Sequence, residues 1–145
     1  MQTEPLVVLL VEDDPGAALI ATEALERVSR PHRVYAVGDG EEALAFLRRA
    51  GVHGDAPRPG LILLDLNMPR MDGRETLAAI KSDDKLKAIP VVILTTSGAT
   101  PDIVSSYQHR ANAYVTKPFG LDDFESTVRQ IDRFYGEVAV LPHTD

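Results

Sequence analysis

Apolar runs alternate with amphipathic segments along this chain, and the alternation repeats five times. Residues 6–11, 61–65 and 91–95 are nearly unbroken apolar stretches, the pattern of strands buried on both faces. Residues 33–37 and 113–116 predict two shorter strands. Between them lie helix patterns. Asp14 followed by Pro15 supplies a cap and a first helical position, and Ala18, Ala21, Leu25 and Val28 form a stripe at three- and four-residue steps. Asp39-Gly40 opens a second helix carrying Ala43, Leu44 and Leu47, and a third is expected over 72–82. Pro101 marks the start of a weak fourth. A fifth is expected over 121–135, with Leu121, Phe124, Val128 and Ile131 on one face and Gly136 ending it. The Gly- and Pro-rich segment 51–60 predicts an irregular surface loop. Strand–helix alternation repeated five times predicts an α/β fold, a doubly wound five-stranded parallel sheet with five helices.

Composition narrows the function. The 145 residues, 44% hydrophobic, suffice for one domain with a real core. A net charge of -7 without any Lys/Arg run argues against a nucleic-acid partner. No cysteine is present, which excludes disulfides, thiolate metal sites and a Cys nucleophile. Residues 1–5 lack the features of a signal peptide, and no apolar run approaches the roughly 20 residues that span a bilayer. The expectation is a cytoplasmic protein without membrane contact.

The candidate chemistry gathers at strand ends. In an open parallel sheet, ligands bind at the carboxyl ends of the strands. The first strand ends in Glu12-Asp13-Asp14 and the third in Asp65, with Asn67, Pro69 and Gly73 turning the chain away. Each carboxylate taken alone also reads as a helix or turn cap. Brought together they repel unless a cation sits among them, and an all-oxygen donor set favours a hard ion such as Mg²⁺. The fourth strand ends in Thr95-Thr96-Ser97 and the fifth in Thr116-Lys117-Pro118, adding a hydroxyl and an ammonium at the same edge. Lys117 alone is an ordinary exposed lysine; beside carboxylates, a metal and a hydroxyl it completes a site for a phosphoryl group.

Five pieces carry a resemblance: Leu9-Leu10-Val11-Glu12-Asp13-Asp14, Leu64-Asp65-Leu66-Asn67-Met68-Pro69, Asp72-Gly73, Leu94-Thr95-Thr96-Ser97 and Lys117-Pro118-Phe119. In this order and spacing they resemble the receiver domain of bacterial two-component response regulators, over about residues 6–135. The stretches 67–75, Ser106-Tyr107, 111–114, Phe134-Tyr135 and Leu141-Pro142 also resemble stand-alone regulators that partner phytochrome-type histidine kinases. The resemblance implies a flavodoxin-like receiver fold over residues 1–135, with 136–145 as a tail. It implies Asp65 as phosphoacceptor and Mg²⁺ held by Glu12, Asp13, Asp65 and the Asn67 backbone carbonyl. Lys117 and Thr95 would bind the phosphoryl oxygens, the Lys117–Pro118 peptide would be cis, and Thr95 with Tyr114 would form a switch. Two departures stand out: Glu-Asp replaces the commoner Asp-Asp pair, and Asp14 adds a third charge that either strengthens metal binding or, the favoured reading, only caps the first helix.

The implied protein is a phosphoacceptor that catalyses only its own phosphotransfer and dephosphorylation, and its partner is a sensor histidine kinase. With only a short tail after the last helix, output is expected through protein contacts. Phe134, Tyr135, Val138, Val140 and Leu141 are the candidate contacts of a homodimer, or else fold back on their own subunit. A relay to a histidine phosphotransfer protein is the alternative. A phosphohydrolase with an Asp nucleophile is remote, because Asn67 stands where its second Asp belongs. A nucleotide-binding module lacks its glycine motifs. His32, His53, His109 and His143 show no ligand spacing and are expected at the surface.

Overall fold

A computed structural model describes residues 5–27 and 31–142. Five strands, β1 (Leu6–Val11), β2 (His32–Val37), β3 (Leu61–Leu64), β4 (Val91–Thr95) and β5 (Ala113–Thr116), alternate with five helices. These are α1 (Pro15–Glu26), α2 (Gly40–Leu47), α3 (Gly73–Ser82), α4 (Thr100–Gln108) and α5 (Leu121–Arg133). The strands form one parallel sheet in the order β2-β1-β3-β4-β5. This is the doubly wound, flavodoxin-like receiver architecture. The order reverses between β1 and β3, so a crevice opens at their carboxyl ends.

Side chains alternate between the two faces. Val8 and Leu10 pack with Leu61, Leu63 and the α1 and α5 residues Ala21, Leu25, Phe124 and Val128. Leu9 and Val11 pack with Ile62, Leu64 and the α2 and α3 residues Leu44, Phe46, Leu77 and Ile80. β1 and β3 are thus buried on both sides, which explains their unbroken apolar runs. Among the described residues, no helix is long and apolar enough to cross a membrane.

The helix starts follow the local signals. Asp14 caps α1 by accepting from the Gly16 N–H at 3.1 Å, with Pro15 at the first turn. Asp39 caps α2 from the Glu42 N–H, and Asp72 forms a reciprocal capping box with Glu75 on α3.

Several expectations are corrected. Leu121 is exposed, because the buried stripe of α5 runs through Phe124, Val128 and Ile131 and the first turn points away from it. Gly136 does not end α5: a π turn over Phe134–Val138 carries the chain past it, with the Ala139 N–H donating to the Phe134 carbonyl at 2.7 Å. The loop 51–60 contains one 3₁₀ turn, Gly51–His53. His32 is not at the surface. Its side chain is buried against that of Asp132, joining β2 to α5. His53 is half-buried beside the Phe46 ring, while His109 is exposed. Val28 and His143 lie outside the described residues.

Candidate functional site

β1 and β3 are adjacent and in register, Val11 opposite Leu64, so the residues that follow them emerge side by side. The Asp65 N–H donates to the Val11 carbonyl at 3.1 Å, which ties the two strand ends together. Oxygen atoms of Glu12, Asp13 and Asp65 lie within 4.8 Å of one another, Glu12 and Asp65 buried and Asp13 exposed. Gly73, at the start of α3, is what allows the Asp65 loop to close. A Cβ there would strike the Asp65 carbonyl and the Leu66 Cα, whereas glycine lets its N–H reach the Leu66 carbonyl at 2.9 Å.

Lys117 approaches from the end of β5. Its Nζ forms a short ion pair with Glu12 Oε1 and lies 3.5 Å from Asp65 Oδ2. The side chain is 11% exposed, so its charge sits largely out of water. The Lys117–Pro118 peptide is trans, as is every peptide among the described residues, against the cis expectation. Trans is the lower-energy isomer of an X-Pro bond, and with it the ammonium already reaches both carboxylates. Burial pushes the Glu12 carboxyl above its ordinary 4.5. Hydrogen bonds from Lys117 and the Asp14 N–H oppose that rise, and the Asp65 charge adds to it.

Thr95, the last residue of β4, is fully buried. Its Oγ1 has no hydrogen-bond partner among the described residues. A buried hydroxyl without a partner is costly, and here it stands at the sheet edge that carries the carboxylates and the ammonium. Asn67 is exposed; its N–H donates to Asp65 Oδ1 at 3.3 Å. It lines an open depression with Asp13, Leu66, Met68, Pro69, Asp72 and Arg74. Tyr114, on β5, is partly buried against the α2–α3 side of the core, and its hydroxyl donates to the Ser97 carbonyl at 2.8 Å.

The sheet edge thus brings together Glu12, Asp13, Asp65, Lys117 and Thr95, with Asn67 and Tyr114 alongside. Three carboxylates with no His or Cys make a donor set for a hard divalent cation, and Mg²⁺ fits it. The candidate dimer residues divide into two sets. Tyr135 and Leu141 pack back on the α1–α5 side of the core, while Phe134, Val138 and Val140 are exposed.

Sequence reasoning missed three polar features. Arg74 on α3 and Asp102 on α4 form an ion pair at 2.9 Å, and Asp102 also accepts from Ser97 Oγ at 2.6 Å. Asp102 lies in the first turn of α4, where an acid is common whatever its partners, so no local signal marks it. Arg70, in a left-handed turn, pairs closely with the buried Asp39. Lys81 is buried and donates to the Lys87 and Ile89 carbonyls and to Asn112 Oδ1.

Comparison with known proteins gives the site its context. The chain is 44% identical over 138 residues to the response regulator Rcp1 of Synechocystis, a match covering 95% of this chain and 94% of that protein. The structure superposes on the phosphorylated cyanobacterial phytochrome response regulator RcpA with a TM-score of 0.94 and 46% identity, covering 97% of this chain and 100% of that one. It superposes on the Mn²⁺-bound form of Rcp1 with a TM-score of 0.92 and 44% identity, covering 96% and 100% of the two chains. The resemblance to phytochrome-associated regulators that the motifs carried is present across the whole fold. The family profile of the response regulator receiver domain matches residues 8–129, and this chain belongs to that family of signalling proteins.

Proposed function

We propose that Asp65 accepts a phosphoryl group from a phosphohistidine on a sensor histidine kinase, of the phytochrome type that the relatives' names suggest. The observation that carries this reading is the grouping of Glu12, Asp13 and Asp65 with Lys117 and the unpartnered Thr95 hydroxyl at one sheet edge. A carboxylate oxygen of Asp65 forms the new bond to phosphorus as the phosphorus–nitrogen bond breaks; the bonding pair stays on that nitrogen, and with a proton on its other ring nitrogen the imidazole departs neutral. Lys117 swings its charge from Glu12 to the transferred oxygens, and Thr95 donates its hydroxyl to another. Glu12, Asp13, Asp65 and the Asn67 carbonyl would hold Mg²⁺, which when bound offsets negative charge at the acceptor.

A kinase must present its histidine at this edge. Phe119, in the loop after Lys117-Pro118, is fully exposed, and Leu121 on α5 and Leu19 on α1 are exposed too. Because α1 and α5 pack side by side, these residues suit an apolar partner surface beside Asp65. The new charge draws Thr95 toward it, and Tyr114 carries the change to the face formed by α4, β5 and α5.

Output runs through a homodimer built on Phe134, Val138 and Val140, with Tyr135 and Leu141 fixing the π turn against their own subunit. Transfer of labelled phosphate from an autophosphorylated phytochrome-type kinase tests the acceptor: the protein takes label and Asp65→Asn does not. Label retained by Asp65→Asn refutes the assignment. Light scattering tests the dimer: Phe134→Ser with Val138→Ser gives the monomer mass, and an unchanged dimer places the interface elsewhere.

A further inference from the structure

The link between α3 and α4 has no part in the phosphoacceptor chemistry described above. Arg74 follows Gly73 directly, at the point where α3 leaves the Asp65 loop. Its Nη2 lies 2.9 Å from Asp102 Oδ1 in the first turn of α4, and its Nη1 lies 3.6 Å from Asp72. The second oxygen of Asp102 accepts from Ser97 Oγ at 2.6 Å, and Ser97 Oγ in turn accepts from the Ala99 N–H at 3.3 Å. One carboxylate therefore holds a helix 28 residues away in sequence and the loop that precedes its own helix.

That loop follows Thr95, the last residue of β4. Ser97 is two residues further on, and its carbonyl is the acceptor for the Tyr114 hydroxyl. The Tyr114 N–H meanwhile donates to the Tyr107 hydroxyl on α4 at 3.1 Å. A displacement of Thr95 is thus passed within two residues to a serine held on three sides: by Asp102, by the Ala99 N–H and by the Tyr114 hydroxyl. The Ser97 hydroxyl first, and then Arg74, hold the Asp102 carboxyl below its ordinary 3.8, as expected for a carboxylate with a hydroxyl and a guanidinium on separate oxygens.

We propose that Arg74 and Asp102 form a clasp between α3 and α4 that positions the β4–α4 loop for docking of Tyr114, and so favours phosphoryl uptake at Asp65. The inference rests on the reading of Asp65 as phosphoacceptor. Arg74 and Asp102 are positioning residues: neither touches the acceptor, and both act through Ser97 and Tyr114.

The test is beryllofluoride binding to the full chain at saturating Mg²⁺, with Mg²⁺ affinity measured separately. Arg74→Met and Asp102→Asn each weaken beryllofluoride binding about three- to tenfold, the range for one partly exposed, charge-assisted contact. The double variant is no weaker than either single one, and Mg²⁺ affinity does not fall, since Arg74 contributes only a positive charge to the depression that Asp13 and Asn67 line. In a Tyr114→Phe background, which lacks the hydroxyl bond to Ser97, the same substitutions have no further effect. A merely structural role would give the same loss with or without that hydroxyl, and this outcome overturns the clasp. Unchanged or tighter beryllofluoride binding by Arg74→Met overturns it as well. A wild-type protein that binds Mg²⁺ but no beryllofluoride overturns the phosphoacceptor reading itself, whatever the variants do.

Discussion

Replacing Thr95 by valine should make the protein more stable and a poorer phosphoryl acceptor. Thr95 is fully buried at the end of β4, and its hydroxyl has no hydrogen-bond partner among the described residues. Burying an unpartnered hydroxyl costs about 1–3 kcal/mol. Valine keeps the branched shape and exchanges the hydroxyl for a methyl group, so Thr95→Val should recover about 1–2 kcal/mol of that cost. For a chain of this length, each kcal/mol moves the melting temperature by about 2–4 °C. Thr95→Val should therefore melt several degrees above wild type in plain buffer.

Beryllofluoride with Mg²⁺ should reverse the order. A hydroxyl donating to an anionic oxygen contributes about 1.5–3 kcal/mol, so its loss weakens binding about 10- to 100-fold. Ligand stabilisation grows with the logarithm of concentration over Kd, so the wild-type melting temperature climbs past that of the variant as ligand is added. Thr95→Ser is the control, keeping the hydroxyl while deleting a buried methyl at a cost of about 1 kcal/mol. It should melt below wild type yet respond to beryllofluoride in the same way. Differential scanning fluorimetry over a ligand series measures all three proteins. A Thr95→Val variant that melts below wild type in plain buffer would refute the reasoning, since the hydroxyl would then hold a bond within the fold.

Gly73→Ala drives a methyl into the backbone at Asp65 and Leu66, so it should cost about 1–3 kcal/mol in urea unfolding and weaken Mg²⁺ binding as Asp65 shifts. Lys117→Met removes the ammonium that pairs with Glu12 and Asp65, and calorimetry should show beryllofluoride affinity down at least about tenfold. Its Mg²⁺ affinity should equal or exceed that of wild type, and loss of Mg²⁺ binding would show that Lys117 orders the carboxylates instead of competing for them. Lys81 gives a pH signature. Burial lowers its ammonium below the ordinary 10.5, so between the lowered value and 10.5 the unfolded chain binds more protons and stability rises with pH. The stability of wild type relative to Lys81→Met should therefore climb as pH approaches 10.5 in a series of urea titrations, and a falling difference would contradict the burial argument.

Short-range pattern carried most of the fold. The strands at 91–95 and 113–116 emerge with the bounds the apolar runs suggest, and Asp14 caps α1 as its place before Pro15 implies. These features depend on neighbours within a few residues. What was illegible depends on distant ones. His32 looks like a surface histidine because its partner Asp132 lies 100 residues away. Arg74 and Asp102 are each ordinary helix-surface charges until α3 and α4 are placed together. The tail shows the same boundary: its five candidate contacts are all apolar or aromatic, yet the π turn sends Tyr135 and Leu141 inward and leaves Phe134, Val138 and Val140 outside. A turn type with one extra residue changes which side chains share a face, and composition does not record it.

The site was legible for a further reason, rooted in charge. Three carboxylates against one ammonium leave two negative charges when all are ionised, in a pocket where Glu12 and Asp65 are buried. Burial already raises the Glu12 carboxyl, so its negative charge is disfavoured there without a further cation. A divalent cation matches the deficit and a monovalent one does not, and with oxygen donors only, the choice narrows to hard ions. Adding a phosphoryl group at Asp65 replaces one unit of negative charge by about 1.5–2. That increment falls beside the two groups able to answer it: an ammonium shared between Glu12 and Asp65, and a hydroxyl with no other partner among the described residues. Lys117 can change partners because Glu12 holds it only while nothing more anionic is in reach, and Thr95 can respond because no competing bond has to break. The residue types at four strand ends therefore suffice to name, from sequence, the groups that the fold brings together. The coupling proposed to α4 needs the fold, because it rests on the contacts of Ser97 and Asp102, whose partners no local pattern names.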